Sequence, residues 1–283
     1  MTSKRYEQKA RKYWKEQMEA AVAFMEQILD TPARECGEKM VYLPEAADQA
    51  GVEALFSKSR LAGRFDRQFY LREGLIGSFL DAAREMNSRG WILKVEDAYR
   101  SSAMQKALGQ DPGVFEKILK KVIWELDGTV PSSQLMFRRL SVLVATRPKL
   151  GTHMSGSALD ISVVDRGNGN ELDRGGPYLE LSQLTPMSSP FVSEAARRNR
   201  AQITDIMLSS GFVAYPFEFW HYSQGDLFQT VLGTGNASAR YGAINFHPQS
   251  GSVVPIDDPF ASLHTLSEIE ETIQDSLKNL KTE

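Results

Sequence analysis

Cysteine is nearly absent: Cys36 stands alone among 283 residues. A single thiol excludes an intrachain disulfide and any site built from several thiolates. A bound metal would therefore have to be held by histidine and carboxylate side chains. Histidine is scarce as well, with four in the chain. No apolar run approaches the ~20 residues that span a bilayer. Neither sign of charge dominates, since 33 lysines and arginines face 36 aspartates and glutamates for a net charge of −3. That balance gives no basis for binding nucleic acid or an anionic membrane. Internal repeats and low-complexity tracts are missing. The opening MTSKRYEQKARKYWKEQ is charged throughout and lacks the apolar centre of a secretory signal, so residence in the cytoplasm is the expectation.

What is there is an ordinary globular composition, 42% hydrophobic and 24% charged, enough for a sizeable core. Tyr6, Ala10, Tyr13, Trp14, Phe24 and Ile28 recur at helical spacing and predict a helix over 4–29, ended by Thr31-Pro32. Residues 33–70 carry no clear pattern. A second helix is expected over 74–88 and a strand over 91–95, with two further helices over 102–109 and 114–126. Leu159, Ile161 and Val163 alternate with Asp160 and Ser162, which predicts a strand over 159–164 with the polar pair on the opposite face. Gly167-Asn168-Gly169-Asn170 reads as a hairpin tip. A helix over 193–209, a strand over 212–215 and an amphipathic helix over 265–281 complete the pass. Helices and short strands mix without βαβ alternation, which favours an α+β domain. Arg197-Arg198-Asn199-Arg200 reads as a solvated helix face. The glycine-rich 167–176 stretch lacks the ending of a phosphate loop and the context of a dinucleotide fold.

Two of the histidines keep unusual company. In Gly151-Thr152-His153-Met154-Ser155-Gly156-Ser157-Ala158-Leu159-Asp160, a histidine precedes a turn of small residues and an aspartate follows on the polar face of a strand. Glycine and serine let the chain bend sharply enough for the two to converge. In Glu218-Phe219-Trp220-His221, a carboxylate precedes a histidine by three positions. On a flat strand these would face opposite ways, so placing them together requires a turn or bulge. Two imidazoles and one carboxylate suit zinc and leave a fourth position for water. Glu218, left unligated, suits a base that takes the proton of an attacking water. His247 and His264 lack such neighbours and read as structural. Ser155 and Ser157 read as turn residues.

The pattern His-x-x-Gly-x-Ala-x-Asp, followed about sixty residues later by Glu-x-Trp-His, resembles the zinc D-alanyl-D-alanine dipeptidases. These sit within a wider group of D,D-carboxypeptidases and hedgehog-type domains. Arg72-Glu73-Gly74-Leu75, Asp97-Ala98-Tyr99-Arg100 and Tyr215-Pro216 look like the dipeptidase branch, and the likeness covers roughly residues 40–258. The resemblance implies one zinc ion held by His153, Asp160 and His221, with Glu218 as general base and Arg100 holding the oxyanion. It also implies a small, mainly antiparallel sheet with flanking helices around the zinc site. All of 1–283 then forms one peptidase domain, with helices 4–29 and 265–281 as additions through which copies would associate. The expected partner is a small peptide, hydrolysed as D-alanyl-D-alanine or a related dipeptide. Alternatives are a carboxypeptidase or endopeptidase acting on longer peptidoglycan stems, and a zinc-bearing module that only binds. Tyr99, Ser155 and Glu180 are the candidate substrate contacts. The sequence departs from the family in two places. Gly151-Thr152 stands where a serine is common, and in Gly175-Gly176-Pro177-Tyr178-Leu179-Glu180 a leucine occupies the position of the expected aspartate.

Overall fold

The computed structural model of the chain describes residues 3–233 and 237–280. Its elements run α1 (Ser3–Asp30), β1 (Met40–Tyr42), α2 (Leu43–Gln49), β2 (Ala54–Phe56), β3 (Tyr70–Arg72), α3 (Ile76–Ser88) and β4 (Trp91–Asp97). Then come α4 (Ser102–Gln110), α5 (Pro112–Glu125), α6 (Ser133–Leu143), β5 (Ala158–Asp165) and α7 (Glu194–Ser209). The last are β6 (Val213–Ala214), β7 (His221–Ser223), α8 (Leu227–Val231), β8 (Ile244–His247), β9 (Ser252–Pro255) and α9 (Leu266–Leu280). The central sheet has the order β2-β4-β5-β7-β6. Only the β2–β4 pair is parallel, so the fold is the expected α+β type with a small, mainly antiparallel sheet. No helix among the described residues is long and apolar enough to cross a membrane.

Local chemistry sets the helix starts. Ser101, Asp111, Ser132, Ser193 and Asp226 each accept a backbone N–H from the first turn of α4, α5, α6, α7 and α8, respectively, satisfying donors that have no partner within the helix. Pro112 follows the Asp111 cap at the first helical position, where its missing N–H costs nothing. One face of the sheet is apolar: Leu93 and Val95 of β4 and Leu159, Ile161 and Val163 of β5 pack on Phe79, Ala83 and Met86 of α3 and on Ile203 and Met207 of α7. The alternation read along 159–164 therefore holds. Both faces of β5 are buried, however, so Asp160 and Ser162 look into protein instead of water.

Several elements depart from the pattern. The 33–70 stretch contains β1, α2, β2 and β3, each too short to leave a period. Helix α6 was not legible because a buried arginine interrupts its apolar face; Arg139 is neutralised by Glu125 of α5 and Glu19 of α1. The β8–β9 hairpin also went unread. The expected strand over 212–215 shrinks to Val213–Ala214. Arg200 is no solvated group: it is buried and donates to the carbonyls of Arg174, Leu184, Pro186 and Met187. The tail helix ends at Leu280, and residue 281 lies outside the described residues.

The terminal helices are built into the domain. Trp14, Met18, Ala21, Phe24, Met25 and Ile28 of α1 share one core cluster with Val142, Leu150, Tyr215, Phe217 and Phe228. Ile269 and Ile273 of α9 join another with Ile118 and Leu119 of α5 and Met136 and Leu140 of α6. Much of the apolar stripe of each helix is thus buried within the chain, while Tyr6 and Leu266 stay exposed. Truncating Trp14 to alanine should cost about 3–5 kcal/mol, the range for a buried tryptophan. Urea denaturation measures it, and a loss below 1 kcal/mol would show α1 to be an appendage.

Candidate metal centre

Three strands and two turns bring the site together. Asp160 on β5 lies directly opposite His221 on β7, and residues so paired in an antiparallel ladder project to the same face. Asp97 on β4 lies opposite Asp160 from the other side, just after an irregularity between Val95 and Asp97. Such a break re-aims a side chain that a regular strand would point elsewhere. His153 comes from a 3-10 turn, Thr152–Ser155, and Gly156 then adopts φ 69° to reverse the chain into β5. A side chain there would be strained by the backbone and would meet Met40. Glu218 lies in the turn expected from its spacing: its N–H donates to the Tyr215 carbonyl at 3.3 Å, and the His221 N–H donates to its own carbonyl at 3.3 Å.

The donor atoms of His153, Asp160 and His221 lie within 4.8 Å of one another, and all three residues are buried. Asp160 Oδ1 is 3.2 Å from His153 Nε2 and 2.9 Å from His221 Nδ1. The far ring nitrogens are occupied: His153 Nδ1 is 2.5 Å from the Ala98 carbonyl and His221 Nε2 is 2.9 Å from Thr152 Oγ1. A carbonyl can only accept, so Nδ1 of His153 carries a proton and Nε2 is the nitrogen that faces the carboxylate. Each nitrogen that faces this anionic oxygen needs a proton or a metal cation between them. This is the donor set and the outer hydrogen bonding of a metal site, and it fits a divalent ion with two nitrogen ligands and one oxygen ligand. Burial pushes the His221 pKa down, which keeps the ring available as a neutral ligand. Burial pulls the Asp160 pKa upward, but the two histidines outweigh it and hold the carboxyl well below its usual range.

The second oxygen of Asp160 is held as firmly as the first. Arg100 Nη2 donates to Oδ2 at 3.0 Å and the Tyr178 hydroxyl at 2.9 Å. Arg100 Nε donates to Asp97 Oδ2 at 2.7 Å, and Arg67 pairs with that oxygen at 2.9 Å. Burial lowers the Arg100 pKa, but Asp97, Tyr178 and Asp160 raise it further, so the guanidinium stays charged. Its Nη1 meets only Gln105 Oε1, at a long 3.4 Å, beside the cleft that both residues line. Glu218 lines the same cleft with 8% exposure. Desolvation first, and the charge of Asp160 second, push its pKa well above the usual glutamate range; Arg100 and the Trp220 indole oppose them. Such a carboxyl is poised to exchange protons closer to neutrality than a free one.

The three candidate substrate contacts fare differently. Tyr99 is fully buried away from the cleft; its hydroxyl donates to the Ile244 carbonyl and accepts the Phe246 N–H, which pins the β8–β9 hairpin. The Ser155 hydroxyl donates to the Thr152 carbonyl at 2.6 Å and closes the His153 turn. Neither lines the cleft. Glu180 lines an adjoining pocket with Lys117, Lys121 and Trp124. Leu179 lines the cleft itself with φ 64°, a left-handed conformation that costs a leucine about 1–2 kcal/mol. Tyr178, Thr152 and Met25 complete the site and carried no signal of their own. Met25 reaches the cleft from α1.

The D-ala-D-ala dipeptidase family model matches residues 75–232. A D-alanyl-D-alanine dipeptidase of Synechocystis sp. (strain ATCC 27184 / PCC 6803 / Kazusa) is 27% identical over 226 residues, 70% of this chain and 86% of that protein. The enzyme of the same name from Escherichia coli (strain K12) is 37% identical over 70 residues, 25% of this chain and 36% of its own length. The match thus spans about a third of the Escherichia coli protein. A solved LD-carboxypeptidase, LdcB, aligns with a TM-score of 0.34 and 18% identity over 64% of this chain and 68% of that one, too distant to bear on function.

The raised Glu218 pKa makes a stability prediction for metal-free protein. A carboxyl whose pKa is higher folded than unfolded favours the fold while protonated and loses that contribution as pH rises through the window between the two values. Chelator-treated Glu218→Gln should therefore melt above the parent at neutral pH, and the difference should shrink as pH falls toward about 4, near the unfolded glutamate pKa. Parallel melting curves at all pH values would remove the raised pKa from the account.

Proposed function

Since the chain belongs to the D-alanyl-D-alanine dipeptidase family, we propose that it is a zinc-dependent dipeptidase acting on D-alanyl-D-alanine or a closely related dipeptide. The observation that carries the proposal is the convergence of two imidazole nitrogens on one oxygen of a buried carboxylate, with an unligated carboxyl and a charged guanidinium lining the same cleft. His153, Asp160 and His221 would hold the zinc. When bound, zinc supplies Lewis acidity, making a water ionisable near neutral pH and polarising a peptide carbonyl. Glu218 accepts the proton of the attacking water and returns it to the departing amine. Arg100 faces the carbonyl oxygen as negative charge builds there, and burial strengthens that attraction relative to water. Asp97 and Asp160 fix the guanidinium plane, so little reorganisation accompanies the reaction.

Chelation should abolish dipeptide hydrolysis, and added zinc should restore it. Glu218→Gln should lower kcat by about 10²–10⁴-fold, the span of a lost general base, while retaining stoichiometric zinc by elemental analysis. A variant that keeps both metal and turnover would remove Glu218 from the mechanism. In the parent protein kcat/KM should fall with acid as Glu218 and the metal-holding histidines take up protons. A profile rising toward acid would overturn this assignment.

A further inference from the structure

The cleft beside the metal cluster is walled by aliphatic side chains, among them Leu108, Val114, Leu143, Leu179 and Leu181. Apart from the cluster, Glu218 and Arg100, the charged residue that lines it among the described residues is Lys117. Lys117 is exposed and forms no ion pair among those residues. Val114 and Lys117 both lie on α5, three positions apart. That spacing stacks them on one helix face about 4.5 Å apart along the axis. An aliphatic surface and an ammonium group are therefore presented side by side, as a single amino-acid residue presents its side chain and its carboxylate. Leu179 lines the cleft and both flanking basic pockets, so the wall continues where those pockets meet.

A methyl group covers little of such a wall, and the uncovered part would remain in contact with water. We propose that this cleft selects dipeptides whose C-terminal residue carries a bulky apolar side chain, seated on Val114, Leu179 and Leu181, with its free carboxylate on Lys117. This substrate class rests on the dipeptidase reading above and narrows it.

The test uses zinc-loaded Glu218→Gln protein, which holds a peptide without cutting it. Calorimetric titration compares D-alanyl-D-alanine, D-alanyl-D-leucine and D-alanyl-D-phenylalanine, each as free acid and as C-terminal amide. The leucine and phenylalanine acids should bind at least about tenfold more tightly than the alanine acid, the low end of what added methylenes yield in an apolar pocket. Each amide should bind more weakly than its acid by a similar factor. Adding Lys117→Glu, an exposed substitution that leaves the core untouched, should erase the difference between acid and amide. Equal or weaker binding of the larger peptides overturns the proposal, as does an acid that binds no better than its amide, or no binding at all. If binding follows the expected order but the parent protein cleaves none of the peptides, the binding site stands and the dipeptidase reading falls.

Discussion

One carboxylate organises the site. Asp160 offers Oδ1 to two histidines and Oδ2 to Arg100 and Tyr178, so four side chains take their orientation from a single group. The strand ladder fixes the carboxylate, because β5 is paired on both sides and its opposite face is locked into the main core. An ionised carboxylate at that depth is tolerated only because it is fully paired. The network reaches outward through Arg100 to Asp97 and then Arg67, alternating in sign at each step. Removing any member would strand a buried charge, so the geometry is held by mutual dependence as well as by packing.

The candidate metal centre was readable because its residue types are scarce and its spacings local. Four histidines leave few combinations, and His153 with Asp160, like Glu218 with His221, falls within one short stretch of chain. The need for a turn at Glu218 followed from strand geometry alone. The elements that surround the centre did not announce themselves. Tyr178 is separated from Asp160 by an irregular segment whose path no periodicity encodes. The Ala98 carbonyl is backbone, and so is present at every position. Tyr99 was misread because adjacency to Arg100 says nothing about direction: the two side chains leave the strand end on different sides, one toward the hairpin and one toward the metal. Arg139 and Arg200 were hidden for a related reason, since a charged residue looks solvated until its buried partners are in view.

The charged cluster and the apolar wall of the cleft belong to different parts of the fold. His153, Asp160, His221, Glu218 and Arg100 belong to the sheet and its connecting turns, while much of the wall of the cleft comes from α4, α5, the end of α6 and the loop at 179–181. Leu179 holds its place at the expense of a disfavoured backbone conformation, which is tolerated where surrounding structure leaves no alternative. Substitutions along the helical wall can therefore alter what enters without disturbing the charges that act on it.

Helix α1 is made well before some of its neighbours. Trp14, Phe24 and Met25 await Tyr215, Phe217 and Phe228, some two hundred residues further along the chain. At typical translation speeds that interval is roughly 10–40 s, and α5 and α6, made within it, cover only part of the apolar stripe. Because Met25 also forms part of the cleft, the pocket cannot be finished before Phe228 has been made. The order of synthesis thus delays completion of the cleft until α1 and the 215–228 segment can meet.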